Sequence, residues 1–266
     1  MIPVGILTAA ATSSFSFLLD LYPGAAVAYS FRKLRSSYIG NCIRVRKITL
    51  GFPEMDIGFV NNVLDTATLL TFAGTTETRI STFYDQSGNG NNALPGSRPL
   101  IVAAGGTLVT DNGKVAANSG FLTFSNITQN SNFASYSVMT RIGTNSTVGF
   151  GTNISGAPNY IHLSDATFMY SHNTINQGRY SYTTPGRRLF TSLNVSNSFT
   201  MLLNAVGQTV VTTAQAASGI INELNGCSGL TFSSTNTFQE HIFYNISQTA
   251  NNTAIQDNIN LYYTIY

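Results

Sequence analysis

The sequence predicts an all-β chain folded as an antiparallel sandwich, with short helices near its N-terminus and a docking helix at its C-terminus. Three observations carry this. Short alternating runs recur with turn signals between them from about residue 100 onward. A glycine- and Asx-rich stretch, Tyr84 to Ala93, separates this series from a mixed lead-in. The 266 residues are enough for one large sandwich core.

The elements follow in chain order. Met1 to Ala11 is apolar and small, lacks the basic start of a signal peptide, and is too short to cross a bilayer. Residues 1–19 therefore read as an arm that docks on another protein, and residues 20–266 as the sandwich domain. No membrane contact is expected. In Ala25 to Tyr38, Val27, Phe31, Leu34 and Tyr38 share one helical face, with Gly40 placed to cap a helix. Alternation from Cys42 to Lys47 predicts a strand, and Asp65 is placed to cap a short helix, Thr66 to Phe72, closed by Gly74.

In the turn, Gly88 and Gly90 accept positive φ without steric cost, while Asp85, Ser87 and Asn91 can bond their own backbone. One carboxylate among neutral amides makes a weak cation site, so the turn is expected to hold without an ion. Beyond it, Leu100 to Val102, Phe121 to Phe124, Tyr136 to Ile142, Thr147 to Phe150, Tyr160 to Leu163, Leu189 to Val195, Phe199 to Ala205 and Thr209 to Thr213 read as strands. After a last strand, Glu240 to Asn245, a helix capped by Ser247 or Thr249 carries Ile255, Ile259, Tyr262 and Tyr266 on one face.

Charged residues make up 9% of the chain, against roughly 25% in ordinary soluble domains. With a net charge of +2, little repulsion keeps copies apart, and a homo-oligomer is expected. Arg32, Lys33, Arg35, Arg44, Arg46 and Lys47 hold six of the 13 basic side chains, but no aromatic residues are interleaved for base stacking. Nucleic acid is not expected as a partner. Cys42 and Cys227 are too few for a disulfide framework and read as buried free thiols. His162, His172 and His241 lack metal-ligand spacing, so neither a metal nor another cofactor is expected.

Three stretches carry a family resemblance. Ser36-Ser-Tyr-Ile-Gly40 with Val45-Arg46, and Tyr84-Asp-Gln-Ser-Gly-Asn-Gly-Asn91, resemble the N-terminal part of the catalytic domain of family 54 α-L-arabinofuranosidases. The closing Glu240-x-Ile-x-Tyr-Asn245 strand and its helix resemble those of concanavalin A-like, laminin-G-like sandwich domains. The combination with Ala28-Tyr-Ser-Phe-Arg-Lys-Leu-Arg-Ser-Ser-Tyr38 and Asp56-Ile-Gly-Phe59 also resembles domains of bacteriophage virion proteins. The resemblance implies a concanavalin A-like jelly roll. The vicinal cysteine pair and the Tyr-Gly-Asn-Ala-Glu nucleophile context of the family 54 enzymes are both missing here.

A retaining glycosidase needs two carboxylates about 5 Å apart. Among the eleven Asp and Glu no pair stands out, and Glu223 and Glu240 are the least unsuitable acids. The expectation is therefore a non-enzymatic structural protein of a phage particle: a head fibre, decoration or tail-associated protein. It would be assembled in the bacterial cytoplasm, held to other virion proteins through the arm, and directed at host polysaccharide. A cell-surface carbohydrate-binding module and an arabinofuranosidase-like hydrolase are the alternatives. For sugar contact the candidates are Tyr160, His162, Tyr170, His172, Tyr180 and Tyr182, because aromatic faces stack on sugars and polar tips reach hydroxyls.

Overall fold

The computed structural model describes residues 16–141, 148–152, 159–164, 168–173, 176–182, 186–196, 198–212, 219–227, 232–233 and 236–266. Among these, two antiparallel sheets lie face to face and three helices are appended: α1 (Leu18–Leu21), α2 (Thr66–Ala73) and α3 (Asn252–Tyr263). The first sheet contains twelve of the described strands, with Phe133–Arg141, Thr237–Tyr244 and Gly186–Val195 among its central members and Glu54–Ile57 at one end. The second contains eight, in the order Val211–Thr212, Asn176–Ser181, Phe168–Asn173, Tyr160–Ser164, Phe150–Gly151, Ile220–Leu224, Phe121–Thr128, Leu94–Ser97. The all-β sandwich expected from the sequence is the fold observed.

The main core fills the space between the sheets, where Val45, Ile80 and Phe243 meet Phe124, Phe150, Ile161 and Leu224. A second cluster lies on the far side of the first sheet. There Tyr136, Val138, Leu189 and Ile242 are covered by Ile255, Ile259 and Tyr263 of α3 and by Leu18 and Leu19 of α1. Each of these side chains contributes about 1.5–3 kcal/mol by leaving water. The face of α3 is turned slightly from the expected one: Tyr263 is buried, whereas Tyr266 lies beyond the helix and is half exposed. Leu18 and Leu19, placed in the arm by the sequence reading, pack within the sandwich domain, and the arm's first 15 residues lie outside the described ones.

The helix expected over Ala25 to Tyr38 is instead a strand, Val27–Ser30, paired antiparallel with Thr237–Tyr244. All four of its residues are buried: Val27 and Tyr29 in the main core, Ala28 in the α3 cluster. A strand enclosed on both faces reads as a continuous apolar run, which periodicity alone does not separate from a helix. Other expectations hold. Asp65 accepts the Thr68 N–H at 3.0 Å as the α2 cap, and Gly74 ends that helix at φ 58°. Cys42 and Cys227 are buried free thiols.

The Asp85 turn is fastened to the Val27 strand. One oxygen of its buried carboxylate accepts the Ala28 and Ser87 N–H groups, both at 2.9 Å. The other accepts the Ser87 hydroxyl at 2.7 Å and the Asn91 N–H at 3.1 Å. Gln86 continues the seam, its side chain accepting from Leu34 N–H and donating to the Ser30 and Arg32 carbonyls. Gly88 and Gly90 have φ of 94° and 74°, the conformation their positions require.

Most of the basic cluster is tied down within the fold. Arg44 pairs with Asp56 at 2.7 Å and Arg46 with Glu54 at 3.6 Å. Lys33 lies over Phe17 and Lys47 over Phe72. Arg32 is fully buried against Glu240 at 2.8 Å.

Candidate functional site

Five of the six aromatic candidates belong to three adjacent strands of the second sheet, with Tyr182 just past the end of the third, and they divide between its two faces. Tyr160 stands opposite Gly151, while its neighbour Ile161 stands opposite Phe150 in the main core. Tyr160 therefore points away from the first sheet. Tyr170 joins it there, the two rings meeting edge to face at 6.4 Å beside Val148, Leu163 and Cys227. Tyr180 is opposite Met169, a core residue, so it faces inward, and Tyr182 packs edge to face on Phe190 of the first sheet at 5.5 Å. Each is only 3% exposed. Tyr180 and Tyr182, expected on a sugar-facing surface, are thus core residues. His172 pairs with Tyr160 in register, and its side chain lies outside the described residues.

His162 also departs from the expected surface, because of a β-bulge. Ile161 pairs with Ser171 and Leu163 with Tyr170, which leaves His162 as the extra residue, at φ 57°. Strict alternation would have placed it beside Tyr160. The bulge turns it inward, where its Nδ1 lies 2.8 Å from the Ser137 hydroxyl, and His241 Nδ1 lies 2.9 Å from the same oxygen. The Ser137 hydroxyl, with one proton and two lone pairs, bridges the two imidazoles and donates to at most one of them.

Both rings are fully buried, and neither Nε2 has a partner among the described groups. Burial pushes His241 down to about 3, and burial together with the His241 charge holds His162 well below the usual histidine range. A folded-state value below the unfolded value of about 6.5 means that stability is full above that pH and declines as pH falls. For His241 the decline runs from pH 6.5 to about 3, at about 1.4 kcal/mol per pH unit. Urea-unfolding midpoints across this range are expected to drop more steeply in the parent than in His241→Gln; equal slopes would contradict the assignment.

On the outward face, a row of register partners runs across the second sheet: Thr123, Glu223, Gly151, Tyr160. Glu223 is fully buried. The chain returns over this row as the short strand Gly226–Cys227, and a Cβ on Gly151 would lie 2.0 Å from the Gly226 carbonyl oxygen. Only glycine permits that approach. The Cys227 thiol donates to the Thr152 and Asn159 carbonyls, which fastens the cover.

Most other described carboxylates already have structural tasks. Glu240, one of the two acids retained from the sequence, is held by Arg32, by Ser30 Oγ at 2.6 Å and by Tyr263 OH at 3.3 Å. This removes it as a candidate acid. Asp56, Glu54 and Glu77 are ion-paired, Asp65 caps α2, and Asp85 organises the turn. Asp111 accepts the Thr140 and Thr237 hydroxyls, Asp20 accepts Ser36 N–H, and Asp257 is on the exposed side of α3. Glu223 is the acid on the aromatic face, and Asp165 lies outside the described residues. Among the described residues, no group of three His, Cys, Asp or Glu is placed to hold a metal ion.

The fold is a β-sandwich also seen in arabinofuranosidase structures. A family 54 α-L-arabinofuranosidase, solved with a cyclic sulfate inhibitor, superposes over 88% of this chain and 62% of its own at TM-score 0.62, with 15% identity. An arabinofuranosidase complexed with arabinofuranosyl-α-1,2-xylobiose superposes over the same shares at TM-score 0.61, with 16% identity. Trypanosoma rangeli sialidase aligns over 70% of this chain and 31% of its own at TM-score 0.39, with 13% identity. The chain thus spans about 62% of the length of the arabinofuranosidase structures it matches. No family model matches the sequence, and no curated protein matches it. The expectation of a non-enzymatic chain is corrected by these comparisons, since the matching architecture is an enzyme fold.

Proposed function

We propose that the chain is a glycoside hydrolase-like domain, with Glu223 on the outward side of its second sheet as one reacting carboxylate. The observation that carries this reading is the overlap of 88% of the chain with arabinofuranosidase structures. Fold alone does not define activity, and the site must supply the chemistry. Glu223 meets that demand in part: it is a buried acid in the same row as Tyr160, on the face that also carries Tyr170.

Glycosidic cleavage uses two carboxyl groups, one protonating the leaving oxygen and one attacking the anomeric carbon or activating water. Asp165, outside the described residues, is the second carboxylate to test. The test is release of 4-nitrophenol from 4-nitrophenyl α-L-arabinofuranoside, followed by a panel of other aryl glycosides. Glu223→Gln and Asp165→Asn are each expected to lower turnover by roughly 10²–10⁴-fold while circular dichroism stays unchanged. Turnover that survives Glu223→Gln, or no turnover on any member of the panel, would defeat the reading.

A place on a phage particle, where such a domain would meet host polysaccharide, is the setting we propose for it. The low charge supports this, as do the fully displayed apolar side chains Ile39 and Leu50, which are 98% and 99% exposed and available to neighbouring subunits.

A further inference from the structure

A cleft of about 330 Å³ opens beside the end of α3, between the Phe59–Leu64 hairpin and the hairpin that pairs Thr110–Asp111 with Lys114–Val115. Val63, Leu64, Leu108 and Val115 form its apolar walls. A second lobe of about 280 Å³ shares Val63 and Tyr262 with it and is edged by Asn61 and Asn62. These two asparagines make the first hairpin's turn, at φ 51° and 65°. The hairpin is fastened at its base, where Leu64 N–H meets the Phe31 carbonyl and Lys33 N–H the Asn62 carbonyl, both at 2.8 Å. The cleft is therefore preformed, and apart from Phe31 and Leu64 its lining is reached by solvent.

One unspent cation faces this space. Lys114 Nζ lies 4.3 Å from the centre of the Tyr262 ring, and among the described residues no carboxylate pairs with it. The charges around it have other tasks. Arg32, 5.3 Å from the same ring, is neutralised by Glu240, and Asp111, opposite Lys114 in the hairpin, accepts the Thr140 and Thr237 hydroxyls. Arg187 donates to the Asp111 and Thr264 carbonyls. The start of α2 borders the cleft at Thr66 and is capped by the Asp65 carboxylate, so the described residues supply no second positive group for a dianionic phosphate. One ammonium beside apolar walls matches a ligand with one negative charge and an apolar body. We infer that this cleft binds a monocarboxylate, its charged end on Lys114 and the Thr110 hydroxyl, its apolar body between Val63, Leu108 and Val115. The inference does not rest on the hydrolase reading, whose Glu223 belongs to the second sheet.

The experiment is a titration of the full chain, with its Ile, Leu and Val methyl groups labelled for NMR, by 3-phenylpropionate, 3-phenylpropanamide and phenyl phosphate. The acid is expected to shift the methyl signals of Val63, Leu64, Leu108 and Val115. At low salt it should bind about fivefold tighter than the amide, and the advantage should shrink as salt is raised. Lys114→Gln should bring acid and amide to the same affinity and Lys114→Arg should keep part of the preference, with thermal midpoints close to the parent. No shift of these methyl signals by the acid, equal binding of acid and amide, tighter binding of phenyl phosphate than of the acid, or a preference that survives Lys114→Gln each overturns the inference. Acid-selective binding here with no glycoside turnover supports it and counts only against the hydrolase reading.

Discussion

Glu240→Gln is expected to lower the unfolding free energy by about 3–5 kcal/mol, because it leaves a buried guanidinium without its counter-charge. Arg32 and Glu240 are 0% and 1% exposed, and they meet through two parallel N–H bonds of 2.8 and 2.9 Å. The remaining Arg32 donor reaches Asn258 Oδ1 of α3 at 2.9 Å, and Ser30 and Tyr263 complete the shell around the carboxylate. The pair therefore joins the Thr237 strand, the end of the Val27 strand and the C-terminal helix. Removing one partner differs from removing both. The double variant Arg32→Met with Glu240→Leu should recover much of the loss, since a desolvated pair adds little over apolar groups of similar volume. Denaturant midpoints of the parent and the two variants test this; a loss under about 1 kcal/mol for Glu240→Gln would show that the site takes up water.

Asp85→Ala should be similarly severe, at about 3–5 kcal/mol, for a different reason. The carboxylate accepts four hydrogen bonds, three from backbone N–H groups, and alanine leaves those donors buried with nothing to meet them. The Ala28 N–H belongs to a strand 57 residues away in sequence, so the loss is felt across the fold. Asp85→Asn keeps an acceptor but presents an amide NH₂ to the remaining donors, and it is expected to recover less than half of the loss. Thermal unfolding of the two variants is the measurement. Equal stability of Asp85→Ala and parent would mean that Gln86 and the two glycines set the turn without the carboxylate.

What the sequence made legible follows from how local each signal is. The Asp85 turn and the Asp65-capped helix were readable because their chemistry is contained within a few residues: a side chain bonding its own backbone and a glycine at positive φ. The Val27 strand was not, since burial on both faces erased the alternation that marks a strand. Of the strands that carry the aromatic candidates, only the one starting at Tyr160 was read; Phe168–Asn173 and Asn176–Ser181 were not, nor was the face each side chain takes. Tyr180 takes its direction from Met169, a partner eleven positions earlier in the chain, and Tyr182 from Phe190 of the other sheet, relations that no composition reveals. Glu223 was visible as an acid. Its place beside Gly151 and Tyr160 is a cross-strand relation between segments some 70 residues apart.

The extra residue at His162 has a consequence for how this chain can change. Because the ribbon skips one count there, Tyr160 and Leu163 serve one compartment while Ile161 and His162 serve another. Variation at the first two positions repacks the buried cluster with Val148 and Cys227 without disturbing the imidazole pair behind it. Loss of the His162 codon would leave Ile161 and Leu163 in plain alternation opposite Ser171 and Tyr170, keeping both compartments and removing the imidazole alone.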